Sequence, residues 1–202
     1  MKNIIIGFAI AASSLTACNN GSGTTSDTAK KDTAANTTQV ITDTTTAKAP
    51  IATTAGAAFP AKAIISSYLE LKNALTKDNG KDAAAAGNSI VAALSKVDMK
   101  SLPKDQMKSY MDIADDLKEN AEHIGANAGK IDHQREHFEM LSKDMADLVK
   151  TFGNGGQILY KDFCPMANNG KGAIWISEIK EIKNPYLGTK MPTCGSVKET
   201  IQ

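Results

Sequence analysis

The sequence predicts an all-α domain, an up-and-down four-helix bundle with an irregular C-terminal cap, and three observations carry that expectation. Four stretches between Pro60 and Phe152 repeat apolar residues at helical spacing. Short turn signals separate them, which makes consecutive helices antiparallel neighbours. Beyond Gly153, glycines and the prolines Pro165, Pro185 and Pro192 interrupt any helical period.

The first helix is expected from Pro60 to Lys77, with Ile64, Ile65, Tyr68, Leu71 and Leu75 on one face, and it stops at the turn Asp78-Asn79-Gly80. The second, Asp82 to Val97, is alanine-rich and offers Ile90, Val91, Leu94 and Val97 as its larger contacts. Ser101 reads as the N-cap of the third, with Pro103 near the first helical position. That helix continues through Met107, Met111, Ala114, Leu117, Ala121 and Ile124 until Gly125 to Gly129 ends it. The fourth runs from Ile131 to Phe152 with Gln134, Phe138, Leu141, Met145, Leu148 and Phe152 in register, and Gly153-Asn154-Gly155-Gly156 terminates it. Met107, Met111 and Met145 fall on core faces and read as packing residues. In the cap, residues 153–202, Ile158 to Phe163 is expected to be a short strand and Ala173 to Ile182 a strand or short helix.

The N-terminal part has a different character. Residues 1–17 combine Lys2, an apolar run from Ile4 to Ile10 and a small-residue approach to Cys18, the pattern of a secretory signal peptide. The ending Leu15-Thr16-Ala17-Cys18 resembles the bacterial lipobox, so Cys18 is the expected lipidation site and membrane anchor. Residues 19–58 contain twelve threonines in forty positions and no apolar period. Such a segment cannot bury enough surface to offset its ordering entropy, so residues 18–58 are expected to be a disordered tether reaching about 35 Å. From Phe59 onward 144 residues remain, enough for one core of ordinary size. The residues before Phe59 hold four lysines and three aspartates, which leaves the domain 19 basic and 19 acidic residues. That balance argues against nucleic-acid binding, which needs a basic face. The expected localisation is the cell envelope, facing the periplasm.

The candidate site residues lie mostly in the cap. Cys164 and Met166 stand two apart, and Met191 and Cys194 three apart, each pair with a proline between its members. Thiolate and thioether are soft donors suited to Cu(I). His133 and His137 add two imidazoles one helical turn apart, and imidazole also suits Zn(II) and Cu(II). The expected metal ligands are therefore Cys164, Met166, Met191, Cys194, His133 and His137. On this reading the cap docks beside the histidines, while His123 has no partner in sequence and stays outside the set. The alternative is a Cys164–Cys194 disulfide, the usual fate of two cysteines in an oxidising compartment. Simple packing accounts for the methionines, and solvation for the histidines, on the blandest reading. No nucleophile elbow or glycine-rich phosphate loop is present, and His133-Gln134-Arg135-Glu136-His137 lacks the H-E-x-x-H order of zinc proteases. The protein is not expected to be an enzyme, and no small-molecule substrate is evident.

The segments Cys164-Pro165-Met166-Ala167, Asn184-Pro185-Tyr186-Leu187-Gly188 and Met191-Pro192-Thr193-Cys194-Gly195, preceded by His133-Gln134-Arg135-Glu136-His137-Phe138, resemble an uncharacterised bacterial domain family of unknown function. The resemblance spans about Ala63 to Thr200. Members occur as small lipoproteins of Gram-negative bacteria and fused to periplasmic adaptor subunits of heavy-metal efflux pumps of the resistance-nodulation-division type. It implies handling of copper or a related heavy metal, with an efflux system as a possible partner. Leu187 stands where relatives tend to carry an aromatic, and the adaptor's own hairpin and barrel portions have no counterpart here. The expectation is a periplasm-facing lipoprotein that binds a soft metal ion, Cu(I) first and zinc or another heavy metal next, for sequestration or transfer. A non-catalytic interaction lipoprotein stapled by the Cys164–Cys194 bond is the alternative.

Overall fold

The computed structural model describes residues 59–202. The expected signal segment, Cys18 and the tether lie outside the described residues. Four helices follow in order, α1 (Ala61–Thr76), α2 (Gly80–Leu94), α3 (Lys104–Ala126) and α4 (Ile131–Phe152). Consecutive helices pack on each other, and α4 returns to α1. None of them is long and apolar enough to cross a membrane.

The apolar stripes account for this packing. Ile64, Ile65, Tyr68, Leu71 and Leu75 of α1 are all buried, as are Leu117, Ala121 and Ile124 of α3 and Phe138, Leu141, Met145 and Leu148 of α4. On α2 the buried Ala83, Ala86 and Ala93 are small enough to let its neighbours approach closely. Asn79 caps α2 by accepting from the Asp82 N–H at 3.1 Å. Gln134 is buried because its amide ties three segments, donating to the carbonyls of Gly80 and Ile124 at 2.9 and 3.0 Å.

Two expectations about α3 are corrected. Ser101 does not cap it. Asp98 caps a single 3-10 turn, Met99–Ser101, by accepting from the Lys100 N–H, and α3 begins after Pro103. Met111 is 59% exposed, and Tyr110 takes the core position instead, its hydroxyl donating to the Leu94 carbonyl. The polar end of a tyrosine finds an acceptor there that methionine could not use.

The C-terminal part is not an irregular cap but a three-stranded antiparallel sheet, so the chain is a helical bundle joined to a small sheet rather than all-α. Its strands are β1 (Leu159–Cys164), β2 (Ala173–Ser177) and β3 (Ser196–Ile201), in the order β2-β1-β3. Cys164 pairs with Ala173, and Phe163 with Ile174 on one side and Ser196 on the other. The sheet packs through β2 against α4 and α1. Trp175 is fully buried there, next to Tyr186, which in turn lies against Phe138.

The segment from Asn184 to Gly188 is the clamp between sheet and bundle. The Asn184 side chain is buried; its oxygen accepts from the N–H groups of Tyr186 and Leu187, and its amide donates to the Cys194 carbonyl. The Pro185 carbonyl accepts from Arg135 Nε of α4 at 2.9 Å. Gly188 has φ +53° and sits against the Asp78–Arg135 ion pair, where a Cβ would collide with both side chains. Gly195, at φ +141°, lets the backbone run across Trp175, whose Cη2 would stand 2.8 Å from a Cβ.

Candidate metal centre

The chain has three histidines, and the fold brings all of them together. His123 comes from the last turns of α3, and His133 and His137 from the first half of α4. One ring nitrogen from each lies within 4.8 Å of the other two. His123 and His137 stack with centroids 4.3 Å apart, and His133 meets His137 edge-on at 4.7 Å. His123, which has no partner in sequence spacing, becomes the third member because the α3–α4 hairpin folds it back over His137.

Two of the rings are held by neighbouring acceptors. His133 Nδ1 lies 3.0 Å from a Glu136 carboxylate oxygen. His137 Nδ1 lies 3.0 Å from Asn120 Oδ1, and the orientation of that amide is set because its Nδ2 donates to the Asp116 carbonyl. Both partner atoms only accept, so each Nδ1 is the donor, and in the neutral ring that leaves the Nε2 lone pair for a ligand. This is the arrangement that orients histidine ligands toward a metal. His123 is the exposed member, with Glu119 3.9 Å from its Nε2. Burial, then the nearby His123 and His133, hold the His137 imidazole below its ordinary value, which favours the neutral, ligating form. A tetrahedral ion with bonds of ~2.1 Å draws its nitrogens to about 3.4 Å. The nitrogens here lie within 4.8 Å of one another, so the rings would close in around an ion.

The sulfur residues occupy another part of the molecule. Cys164 Sγ and Cys194 Sγ are 2.6 Å apart, although the two residues are thirty positions apart in sequence. Cys164 is buried at the end of β1, and Cys194, on the turn before β3, is partly exposed. Hydrogen bonding to Cys164 pushes the Cys194 thiol up. Neither expected thioether joins them in the interior: Met166 is 55% and Met191 40% exposed. Met166 instead lines a cleft of about 520 Å³ between α4 and the 165–172 turn, shared with Met140, which the sequence reading did not single out. Of the six expected ligands, the fold brings the two thiols together in one place and the two histidines together in another. The sheet segment docks on the Arg135 and Phe138 side of α4, whereas His137 faces α3. The cap therefore does not meet the histidines as expected.

A buried polar group also underlies the sheet. Lys72 of α1 is fully buried and its Nζ contacts Glu178 at 2.7 Å and Ser177 Oγ at 3.4 Å. Burial pulls the Glu178 carboxyl up, but the hydrogen bonds from Asn73 and Lys72 prevail and leave it lowered. Asp162 of β1 is buried with neither carboxylate oxygen hydrogen-bonded among the described residues. Burial pushes it up to about 7, opposed by the Lys72 charge and by the Trp175 N–H. The signal for Lys72 was present in the sequence, since it stands four residues after Tyr68 on the core stripe. Asp162 carried no comparable signal.

Residues 64–157 match the model of a family described as a protein of unknown function (DUF3347). The matched span includes the three histidines and ends before β1, so Cys164, Cys194 and the three motif segments lie beyond it. No curated protein and no solved structure matches the chain.

Proposed function

We propose that this protein binds a transition-metal ion through His123, His133 and His137. The observation that supports the reading is the meeting of the chain's three histidines, with the Nδ1 atoms of two of them held by acceptors. Three neutral imidazoles suit Zn(II), Cu(II) and Ni(II). The partly exposed position leaves coordination sites open to solvent or to a carrier, which fits capture and transfer of the ion. With Cys18 as a lipid anchor, the site would work on the periplasmic side of a membrane, in sequestration or in delivery to an efflux system.

The test is metal titration of the full chain, with Co(II) as a spectroscopic probe and Zn(II) in competition. One equivalent is expected to bind, and His137→Ala to weaken binding at least ~100-fold. Asn120→Ala and Glu136→Ala should each weaken it about 10- to 100-fold by releasing a ring. Binding that survives all three single histidine-to-alanine changes would overturn the reading.

The soft-metal reading is the second, favoured by the contact between the two thiols. It assigns Cu(I) to Cys164 and Cys194 with Met166 and Met191 as weaker donors. Its measurement is Cu(I) titration of the reduced chain against a competing chelator. Loss of binding in both Cys164→Ser and Cys194→Ser, with retention in the histidine variants, would select it over the histidine site.

A further inference from the structure

We infer that Cys164 and Cys194 form a reversible dithiol–disulfide couple that exchanges with thiol partners through Cys194. The two sulfurs touch, at 2.6 Å, and they differ in access: Cys164 is buried and Cys194 is partly exposed. An attacking thiolate can therefore reach one sulfur of the pair without unfolding the protein, and it is the same sulfur each time.

The backbone around the pair is held by bonds that do not involve sulfur. Phe163 and Asp162 pair with Ser196 and Val197, which fixes the strands on either side of the two cysteines. The Cys194 carbonyl accepts from Asn184 Nδ2 at 2.7 Å, the Asn184 N–H donates to the Pro192 carbonyl at 2.8 Å, and the Cys194 N–H donates to the Met191 carbonyl at 3.3 Å. Asn184 is itself fully buried. Opening the sulfur–sulfur bond leaves all of these contacts in place. The thiols stay opposed, and the bond can re-form without a search through loop conformations.

The step balances with a dithiol as reductant, whether a small molecule or a protein. Its thiolate attacks Cys194 Sγ; the bond from Cys194 to the attacking sulfur forms, and the Cys164–Cys194 bond breaks. Cys164 leaves with the electron pair and takes up a proton. The reductant's second thiol then attacks the reductant sulfur of the mixed disulfide and releases Cys194 as a thiol. Two electrons and two protons have passed to the protein, and the reductant is left as a disulfide. Oxidation runs the same steps in reverse, with a partner disulfide as the oxidant.

The experiment uses the full chain carrying Cys18→Ser, so that two cysteines remain, in chelator-containing buffer that removes any metal. Equilibration in glutathione buffers, followed by acid quench and mass analysis, reads the redox state. Emission from Trp175, the single tryptophan, which lies against Gly195, reports folding. The couple should open and close fully with folded emission retained. Cys164→Ser should accumulate a glutathione adduct on Cys194, while the thiol of Cys194→Ser should react at least 100-fold more slowly until denaturant is added. Should either variant fail to fold, peptide mapping of the mixed disulfide trapped from the two-cysteine chain locates the attacked sulfur. Opening only on unfolding, or an adduct on Cys164, would overturn the inference.

Discussion

Phe138 and Asp162 are both fully buried, one in the bundle and one in the sheet, and they differ in what burial does for them. Phe138 stacks on Tyr68 with centroids 5.4 Å apart and lies against Tyr186. Its burial stabilises the fold through area and close packing. Asp162 gives up hydration without gaining a hydrogen bond among the described residues, and its carboxyl rises to about 7. The bundle is thus a mostly apolar structure with a few polar ties such as Gln134, whose amide donates to two carbonyls while its oxygen has no partner among the described residues. Ionisable groups gather where the sheet meets the bundle, Lys72 of α1 with Glu178 just after β2, and Asp162 on β1, and the sheet end also carries the cysteine pair. One apolar core runs from the helices to Trp175 and Ile176, and polar and sulfur groups gather at its sheet end.

The largest expected effect tests whether the two regions unfold as one. Phe138→Ala should cost about 3–5 kcal/mol. Because Phe138 touches Tyr186 and Tyr186 touches Trp175, helical circular dichroism and Trp175 emission should move to lower urea together. Two separated transitions would break the comparison into independent units.

Asp162→Asn comes next. The folded carboxyl stands near 7 and the unfolded one near 3.8, so the folded state keeps a proton that the unfolded state has released. Stability from this group is lost as pH rises from about 4 through 7. The asparagine variant, which cannot carry the buried charge, should gain about 1–3 kcal/mol over the native chain at pH 8 and less at pH 5. Urea midpoints at the two pH values measure it, and an equal effect at both would remove the charge from the account.

Asp78 sharpens the comparison at the junction. It accepts from the Thr189 N–H and hydroxyl, and it pairs with Arg135. Those contacts, the Thr189 bond first, hold its carboxyl at about 2. Its contribution is present above pH 4 and is lost as pH falls toward 2. The site is partly open to water, so Asp78→Asn should cost at most about 1 kcal/mol at pH 7, and the difference from the native chain should vanish near pH 2 in thermal melts.

The smallest effect belongs to the histidines. His137 is lowered from 6.5 in the folded state, so the unfolded state binds the extra proton first and stability falls as pH drops below 6.5. His137→Gln should flatten that decline between pH 7 and 5, a smaller effect than any above. A decline that persists unchanged would place the responsible group elsewhere.

The motif segments show how far the sequence could be read. Asn184, Pro185, Tyr186 and Gly188 were visible as a pattern, but what they do is hold the sheet to α4 and to the end of α1, a role that needs Arg135 and Asp78 as partners. Met166 and Met191 were visible as sulfur beside sulfur, yet the turns that carry them point both thioethers outward. The histidine pair at 133 and 137 was legible because it is local to one helix. The third member was not, because only the hairpin makes His123 its neighbour.

By itself the sequence determined the helices and the faces they bury, and the bounds of α4, Ile131–Phe152, agree at both ends. Helical hydrogen bonds span four residues and an apolar stripe repeats every turn, so both are written in local order. The sequence also marked β1 and the start of β2, expected at Ile158 to Phe163 and from Ala173; the tertiary structure decided the rest. Strand β3 has the burial of a solvent-washed edge, with Lys198 and Glu199 exposed, and its sequence carries no core alternation. It is a strand because β1 offers it a free row of backbone donors and acceptors. The Cys164–Cys194 contact, the three-histidine cluster and the burial of Lys72 and Asp162 likewise join residues far apart in the chain. The chemistry of each group is set by whatever the fold places against it, and no local pattern contains that information.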